Sequence, residues 1–168
     1  MEARHLATAA LAAAVVFGSL TALAIDDNPR AVNGMAFALD GDTLRVGNAP
    51  VRLFGIDAPE SRQTCLDAQQ RSWACGEAAT ATLRGMLARD PVVTCAIKDT
   101  DRYKRTVAVC RNGEGDLGAR LVSLGLAVAY RHYSLTYVDQ EDAARAERAG
   151  MWAGTFERPW DWRKRQPR

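Results

Sequence analysis

The sequence is poor in histidine, and its few cysteines do not follow a metal-binding pattern. Of 168 residues, two are His and four are Cys. No C-x-x-C pair occurs, which makes a structural zinc site a weak interpretation. His132 is the one histidine beyond the first 24 residues, and no Ser/His/Asp or Cys/His catalytic set is evident.

The chain also lacks internal repeats, low-complexity tracts and a strong charge. Its net charge is +2, which is only mildly basic and does not by itself indicate a nucleic-acid partner. Charged residues make up 25% and hydrophobic residues 48% of the chain, as is usual for a globular protein. A length of 168 residues allows one domain with a substantial core.

One long apolar run does occur, near the N-terminus. Residues 6–23 are almost all Ala, Leu, Val, Phe and Gly, and Ala22 and Ala24 form an A-x-A pattern. This pattern predicts a secretory signal peptide over residues 1–24, cleaved after Ala24, and therefore a periplasmic or secreted protein. The alternatives are an uncleaved membrane anchor, since about 18 apolar residues just span a bilayer, and a buried helix, which the lack of an amphipathic period disfavours.

Four cysteines are consistent with an oxidising compartment, and they allow three disulfide pairings. Cys95 and Cys110 flank a segment with the pattern of a hairpin connection. A hairpin centred near residues 102–103 would place these two cysteines opposite each other. Cys65 and Cys75 would then pair with each other, and we predict this arrangement.

Alternating patterns and turn signals predict several short strands. These strands cover residues 35–39, 43–46, 51–56, 92–97, 106–110 and 126–130. Helical periodicity predicts three helices, the first over residues 76–87. The second is capped by Asp116, carries Leu124 on its apolar face and ends at Gly125. The third covers residues 138–149, with Gly150 as its C-cap.

This order of elements predicts an α+β fold, mainly β, in which a five-stranded OB-fold barrel carries about three helices. Residues 25–34 are expected to form an N-terminal linker, residues 35–163 the domain and residues 164–168 a basic tail. The segment 155–168 is rich in Trp and Arg. It could form a stacking and phosphate-contact surface, but we favour Trp160 and Trp162 packing onto the barrel before a frayed basic end.

The chemistry is concentrated in the stretch "DGDTLRVGNAPVRLFGIDAPES". Asp42 and Asp57 offer hard carboxylate oxygens for a divalent cation, and Glu60 is a candidate general base. The guanidinium groups of Arg52 and of Arg105, further along the chain, are candidates for bidentate hydrogen bonds to a phosphate. Acids at turns and arginines on strand faces are often merely solvated, so spacing alone leaves that interpretation open.

Several motifs in this chain resemble the staphylococcal nuclease, or thermonuclease, family. They are "DGDTLRV" at 40–46, "VRLFGIDAPES" at 51–61, "DRYKR" at 101–105 and "LVSLGLAVAY" at 121–130. The exported bacterial branch is further resembled by Cys65, "ACGEAA" at 74–79 and "GMWAGTFERPWDWR" at 150–163. The resemblance covers about residues 36–163, nearly the whole chain after the predicted signal peptide.

The resemblance implies a calcium-dependent nuclease that cuts DNA and RNA, single- or double-stranded, at the 5′-oxygen to leave 3′-phosphate ends. Asp42 and Asp57 would bind Ca²⁺ through their carboxylates. Glu60 would activate or orient water, and Arg52 and Arg105 would stabilise the phosphorane.

Three further positions follow from the same resemblance. The backbone carbonyl of Ala58 would bind the metal, and relatives often have Thr at this position. Tyr130 would contact substrate, although it could equally be a half-buried strand aromatic. Lys104 stands where many relatives have Gly, which would support a turn with positive φ. Lys at this position either strains the turn or adds a phosphate contact.

Two other functions remain open from the sequence. One is a non-catalytic OB-fold module that binds nucleic acid, and the other is a membrane-anchored envelope protein. Inactive copies in the family usually lose acids or arginines, whereas all five expected positions are present here, which favours an enzyme. The resemblance implies no stable protein partner and no membrane association after signal cleavage, and we expect a monomer.

Overall fold

The computed structural model describes residues 31–166. Its strands are β1 (Ala31–Ala38), β2 (Thr43–Val46), β3 (Ala49–Leu53), β4 (Ile56–Asp57), β5 (Cys65–Leu66), β6 (Ser72–Trp73), β7 (Val92–Thr100), β8 (Thr106–Asn112), β9 (Gly115–Asp116) and β10 (Val128–Ala129). Its helices are α1 (Cys75–Arg89), α2 (Leu117–Ser123), α3 (Val138–Ala146) and α4 (Pro159–Arg165), and a 3₁₀ helix covers Gly150–Ala153. Within residues 31–166, no helix is long and apolar enough to cross a bilayer. The predicted signal peptide or anchor, residues 1–24, lies outside the described residues.

Five of the strands close into a barrel. β1 pairs antiparallel with β2 and β7, while β3 pairs with β2 and β8 pairs with β7. A parallel pairing of β3 with β8, in which Val51 lies opposite Thr106, joins the two ends of the sheet. Closure pairs backbone groups that would otherwise form open sheet edges. The predicted mainly-β barrel with OB-fold architecture is confirmed, with four α-helices instead of about three.

The barrel forms because alternate residues of its strands are apolar. In β2 and β3, the side chains of Leu44, Val46, Val51 and Leu53 are all buried in the barrel core, and Leu83 of α1 belongs to the same core cluster. Burying each such side chain stabilises the fold by about 1.5–3 kcal/mol relative to leaving it exposed. Because these residues point into the barrel, the residues between them in β2 and β3 lie on the barrel surface or at its ends.

β1 begins earlier than predicted. The expected linker 25–34 includes residues 31–34, which belong to β1, and Ala31 to Gly34 pair with Ala96 to Val93 of β7. The prediction of a start at Met35 was wrong because these small and polar residues do not alternate clearly in hydrophobicity. Their strand conformation comes from pairing with β7, which is distant in sequence.

The predicted strand 51–56 is divided in two by a turn. Gly55 has φ +72°, which glycine adopts without steric cost, and it separates β3 from β4. The Gly55 carbonyl accepts a hydrogen bond from the Tyr130 N–H at 2.9 Å. The predicted strand 126–130 is reduced to β10, which pairs with β4. This turn brings Asp57 of β4 back over the end of the barrel.

Two helical predictions are corrected. The third predicted helix, 138–149, ends at Ala146 in α3, because Arg148 has φ +53° and breaks the helical backbone. Gly150 consequently begins the 3₁₀ helix and does not cap α3. Leu124 does not lie on the buried face of α2, since it is 46% exposed.

Both disulfides have the pairing that the sequence predicted. Cys95 and Cys110 are direct partners across β7 and β8 and form one bond. Cys65 of β5 is joined to Cys75 at the start of α1. All four residues are buried. The second bond links the start of α1 to the loop that follows β4, which carries Glu60.

Candidate active site

Two aspartates lie buried at one end of the barrel. Asp42 ends the turn between β1 and β2, and its backbone N–H is held by the Asp40 carboxylate at 3.0 Å. Asp57 is in β4 and has no exposed surface. The second carboxylate oxygen of Asp42 accepts a hydrogen bond from the Ala58 N–H at 3.0 Å. The turn after β1 is therefore fastened directly to the end of β4.

Arg52 of β3 bridges these two aspartates. Its Nη1 donates to Oδ1 of Asp42 at 2.6 Å, and its Nη2 donates to Oδ1 of Asp57 at 2.7 Å. Charge-assisted hydrogen bonds of this length are about twice as strong as neutral ones. The contacts within residues 31–166 use two of the five N–H donors of the guanidinium, so the others remain for a further acceptor.

The surroundings of Asp42 disfavour the ionised form of its carboxylate. Burial raises the pKa of Asp42 to about 7, although the Arg52 guanidinium works against this change. The neighbouring carboxylates of Asp40 and Asp57 also raise the pKa of Asp42. An added positive charge at this place would favour the ionised carboxylate.

Glu60 lies in the loop after β4, and its carboxylate is 38% exposed. The Glu60 backbone N–H donates to the buried Gln63 side chain at 3.3 Å. Gly76 of α1 packs tightly beneath this loop, because a Cβ at position 76 would lie 1.8 Å from the Glu60 carbonyl oxygen. Glycine at position 76 therefore allows α1 to approach close enough to support Glu60.

Arg163 of α4 also enters the site, and the sequence analysis did not identify it. Its Nη1 donates to Glu60 Oε1 at 2.7 Å and to Asp57 Oδ1 at 3.1 Å, and its Nη2 donates to Asp57 Oδ2 at 2.9 Å. Burial by itself lowers the pKa of Arg163, but hydrogen bonds to these two acids outweigh it and raise the pKa overall. The guanidinium of Arg163 therefore stays charged.

The expected basic tail forms part of α4. The helix extends to Arg165, with Lys164 paired to Asp161 and Arg165 paired to Glu157. The prediction of a frayed end from residue 164 was therefore wrong as far as Arg165. The motif at 150–163 ends on Arg163, but nothing in it indicates the partners of this residue, which lie about 100 residues earlier in the chain.

Arg105, which immediately precedes β8, lines one cavity together with Asp42, Arg52, Glu60 and Arg163. Its Nε donates to the Asp101 carboxylate at 2.7 Å, which holds the side chain across the turn between β7 and β8. Within the described residues, neither Nη group of Arg105 has an acceptor. Lys104 in the same turn has φ +63°, so it occupies the left-handed conformation that the resemblance to Gly-containing relatives suggested.

An aromatic cluster forms another wall of the cavity. The Tyr130 ring stacks on the Trp160 ring with centroids 5.2 Å apart and an interplanar angle of 14°. Tyr133 meets the edge of Tyr130, with centroids 4.9 Å apart. Trp160 therefore packs beside the site, whereas the sequence analysis placed it on the barrel without a site contact.

The barrel and this acid- and arginine-lined site are characteristic of one class of protein. Residues 50–154 match the family described as Staphylococcal nuclease homologue. The chain therefore belongs to the staphylococcal nuclease family, as the motifs predicted.

Curated relatives support this assignment. An "Uncharacterized endonuclease" of Haemophilus influenzae is 34% identical over 135 residues, covering 76% of this chain and 70% of the relative. "Protein ParB" of Escherichia coli is 37% identical over 144 residues, covering 75% of each chain. "Succinoglycan biosynthesis protein ExoI" of Rhizobium meliloti is 31% identical over 121 residues, which cover 71% of this chain and only 63% of that protein. Family membership and the endonuclease relative support a nuclease activity.

Proteins of this family depend on a metal, and the donor atoms of the site fit a hard divalent cation. Asp42 and Asp57 provide buried carboxylate oxygens, and burial raises the pKa of Asp42, so a bound cation would favour its ionised form. Within residues 31–166, no group of three His, Cys, Asp or Glu side chains is placed to hold a metal ion. Two carboxylates would therefore need a backbone carbonyl and water to complete the coordination of a cation such as Ca²⁺.

Proposed function

We propose that this protein is a calcium-dependent nuclease that hydrolyses DNA and RNA at the 5′-oxygen and leaves 3′-phosphate ends. The observation that carries the proposal is the bridge from Arg52 to two buried aspartates, with Glu60 and Arg105 on the walls of the same cavity. In the proposal, Asp42, Asp57 and the Ala58 carbonyl hold the cation. The two disulfides support an oxidising compartment, and we propose a periplasmic or secreted location.

Each proposed site residue has a role that its position supports. Glu60 accepts a proton from the water that attacks phosphorus, since its side chain lines the cavity. Arg52 and Arg105 donate to the non-bridging phosphate oxygens as their charge increases. The bond from phosphorus to the 5′-oxygen then breaks, and that oxygen takes up a proton from solvent. Bound Ca²⁺ would neutralise charge on the phosphate.

Substrate beyond the cleaved bond would run along the cavity wall. Tyr130 belongs to a stacked aromatic pair that lines the cavity, and bases stack on aromatic rings with little sequence preference. Lys104 stands at the tip of the turn that carries Arg105 and can add a phosphate contact.

The first experiment is a digestion assay with the oxidised protein. Release of acid-soluble nucleotide from single-stranded DNA is followed with Ca²⁺ and with chelator. We expect release only with Ca²⁺, and we expect Glu60→Gln and Arg105→Ala each to lower kcat by at least ~10²-fold. Glu77→Gln, an exposed change on α1, is the matched control and keeps full activity.

The assay also distinguishes the competing function. A binding module would release no nucleotide, and its salt-dependent affinity for DNA would survive both chelation and Glu60→Gln. That combination would contradict the proposed enzyme.

A further inference from the structure

Glu60, the proposed base, is held by a single side chain. Its Oε1 accepts a hydrogen bond from Arg163 Nη1 at 2.7 Å. Among the described residues, no other side chain forms a hydrogen bond or ion pair with the Glu60 carboxylate, and Oε2 has no protein donor. A Glu side chain with 38% exposure would otherwise exchange between rotamers.

Arg163 is itself fixed by a buried residue. Both of its Nη groups donate to Asp57, which has no exposed surface, in a bidentate arrangement. This geometry sets both the position and the plane of the guanidinium. Because Asp57 fixes Arg163 and Arg163 donates to Glu60, these contacts hold the Glu60 carboxylate in a defined position relative to Asp57.

Helix α4 brings Arg163 to this place for identifiable reasons. Pro159 occupies its first turn and is buried, which suits the start of a helix. Trp160 stacks on Tyr130, and this contact docks the helix beside the cavity. Arg163, three residues after Trp160, lies one turn further along the same side of the helix.

We infer that Arg163 is a positioning residue, which fixes the Glu60 carboxylate beside Asp57 so that helix α4 completes the site. The inference rests on the proposed function for its catalytic meaning. With Oε1 held by Arg163, Oε2 has no hydrogen-bond donor within residues 31–166 and would be the oxygen that accepts the proton from water. Loss of Arg163 leaves the Glu60 side chain in place but removes the hydrogen bond that holds its orientation.

The first test measures the order of the Glu60 side chain and needs no enzymatic activity. NMR relaxation of the Glu60 side-chain carbons is compared between wild-type protein, Arg163→Ala and Arg163→Lys, all without metal. We expect one rotamer in the wild type and rotamer averaging in Arg163→Ala. Arg163→Lys keeps the positive charge and helix α4 but loses the bidentate guanidinium. We therefore expect the order of the Glu60 side chain to lie between that in the wild type and that in Arg163→Ala. Arg165→Ala on the same helix is the matched control and leaves Glu60 ordered.

The second test is kinetic. Arg163→Ala should lower kcat by about 10- to 100-fold with KM changed less than about 3-fold, since misplacing a catalytic group by about 1 Å can cost ~10²-fold. In the Glu60→Gln background the same change should cost less than about 3-fold, because a residue that acts through Glu60 has nothing left to position. Arg165→Ala should leave both constants unchanged.

The outcomes separate the two proposals. If wild-type protein releases no nucleotide, the proposed nuclease fails, while the NMR comparison still decides whether Arg163 holds Glu60. Unchanged order of Glu60 in Arg163→Ala overturns the positioning role. A raised KM with a smaller salt dependence, and an equal loss in the Glu60→Gln background, would instead make Arg163 a phosphate contact and also overturn it.

Discussion

Lys104 has a backbone conformation that its side chain disfavours. It has φ +63° in the turn between β7 and β8, and its N–H donates to the Asp101 carbonyl at 2.8 Å. A non-glycine residue in this left-handed region costs about 1–2 kcal/mol. The turn keeps this conformation because Asp101 also accepts hydrogen bonds from the backbone N–H groups of Tyr103 and Arg105.

Lys104→Gly should therefore stabilise the protein. The relief of about 1–2 kcal/mol is partly offset by the greater freedom of glycine in the unfolded chain, so we expect the free energy of unfolding to rise by about 0.5–1 kcal/mol. Urea denaturation measures it. Lys104→Ala removes the same side chain without relieving the backbone and should give no gain. A lower stability of Lys104→Gly than of Lys104→Ala would contradict this account.

At the scale of elements, α3 is attached to the rest of the molecule through a buried carboxylate. Glu141 is 1% exposed and accepts a hydrogen bond from the Ala129 N–H of β10 at 3.2 Å. Arg131 and Arg158 also donate to it, at 2.8 Å and 3.2 Å at their Nη atoms. Since Arg158 immediately precedes α4, this single carboxylate links α3, β10 and the start of α4.

Removing this carboxylate should be costly. We expect Glu141→Ala to lower the free energy of unfolding by about 2–4 kcal/mol, toward the lower part of the range for broken buried pairs because both arginines are partly exposed. Asp142→Ala is the matched control, since Asp142 pairs with the same Arg131 but is exposed, and it should cost less than about 1 kcal/mol. Thermal unfolding of the two variants makes the comparison, and equal losses would refute the role of Glu141.

The elements that the sequence predicted well are those with local signals. Alternating residues located β2 and much of β3 and β8, and helical periodicity located most of α1. The two-residue strands β4 and β10 are too short for any period, and they form because they pair with each other. α4 was missed because its docking depends on Tyr130, which lies far away in the sequence.

The site residues likewise divide into those that sequence motifs located and those that only contacts between distant parts of the chain reveal. Family motifs located Asp42, Asp57 and Arg52, and the structure places these three in direct contact. Arg105 and Tyr130 line the same cavity without touching the acids. Arg163 could not be recognised, because its role depends on a contact across 103 residues of sequence.

At the scale of the whole molecule, the buried Asp42 couples stability to pH when no metal is bound. Burial raises the pKa of Asp42 in the folded protein to about 7, above its ordinary value of 3.8. A raised folded pKa means that the protonated form stabilises the folded state. This contribution is fully present below about pH 4 and is lost as the pH rises through about 7.

Asp42→Asn removes this dependence. In chelator, the stability of Asp42→Asn minus that of the wild type should increase by about 2–3 kcal/mol from pH 5 to pH 8, at about 1.4 kcal/mol per pKa unit. Denaturation curves at both pH values measure it. Asp139→Asn, an exposed change, should show the same difference at both. Calcium should raise the stability of the wild type most at pH 8, and no pH dependence of the Asp42→Asn difference would contradict the burial argument.

The pairing of Glu60 with Arg163 has a consequence for how the protein is made. A ribosome adds Glu60 to the chain 103 residues before Arg163, so a nascent polypeptide holds every proposed catalytic acid well before it holds the arginine that orients one of them. If that orientation is needed for turnover, a chain still under synthesis is a poor nuclease.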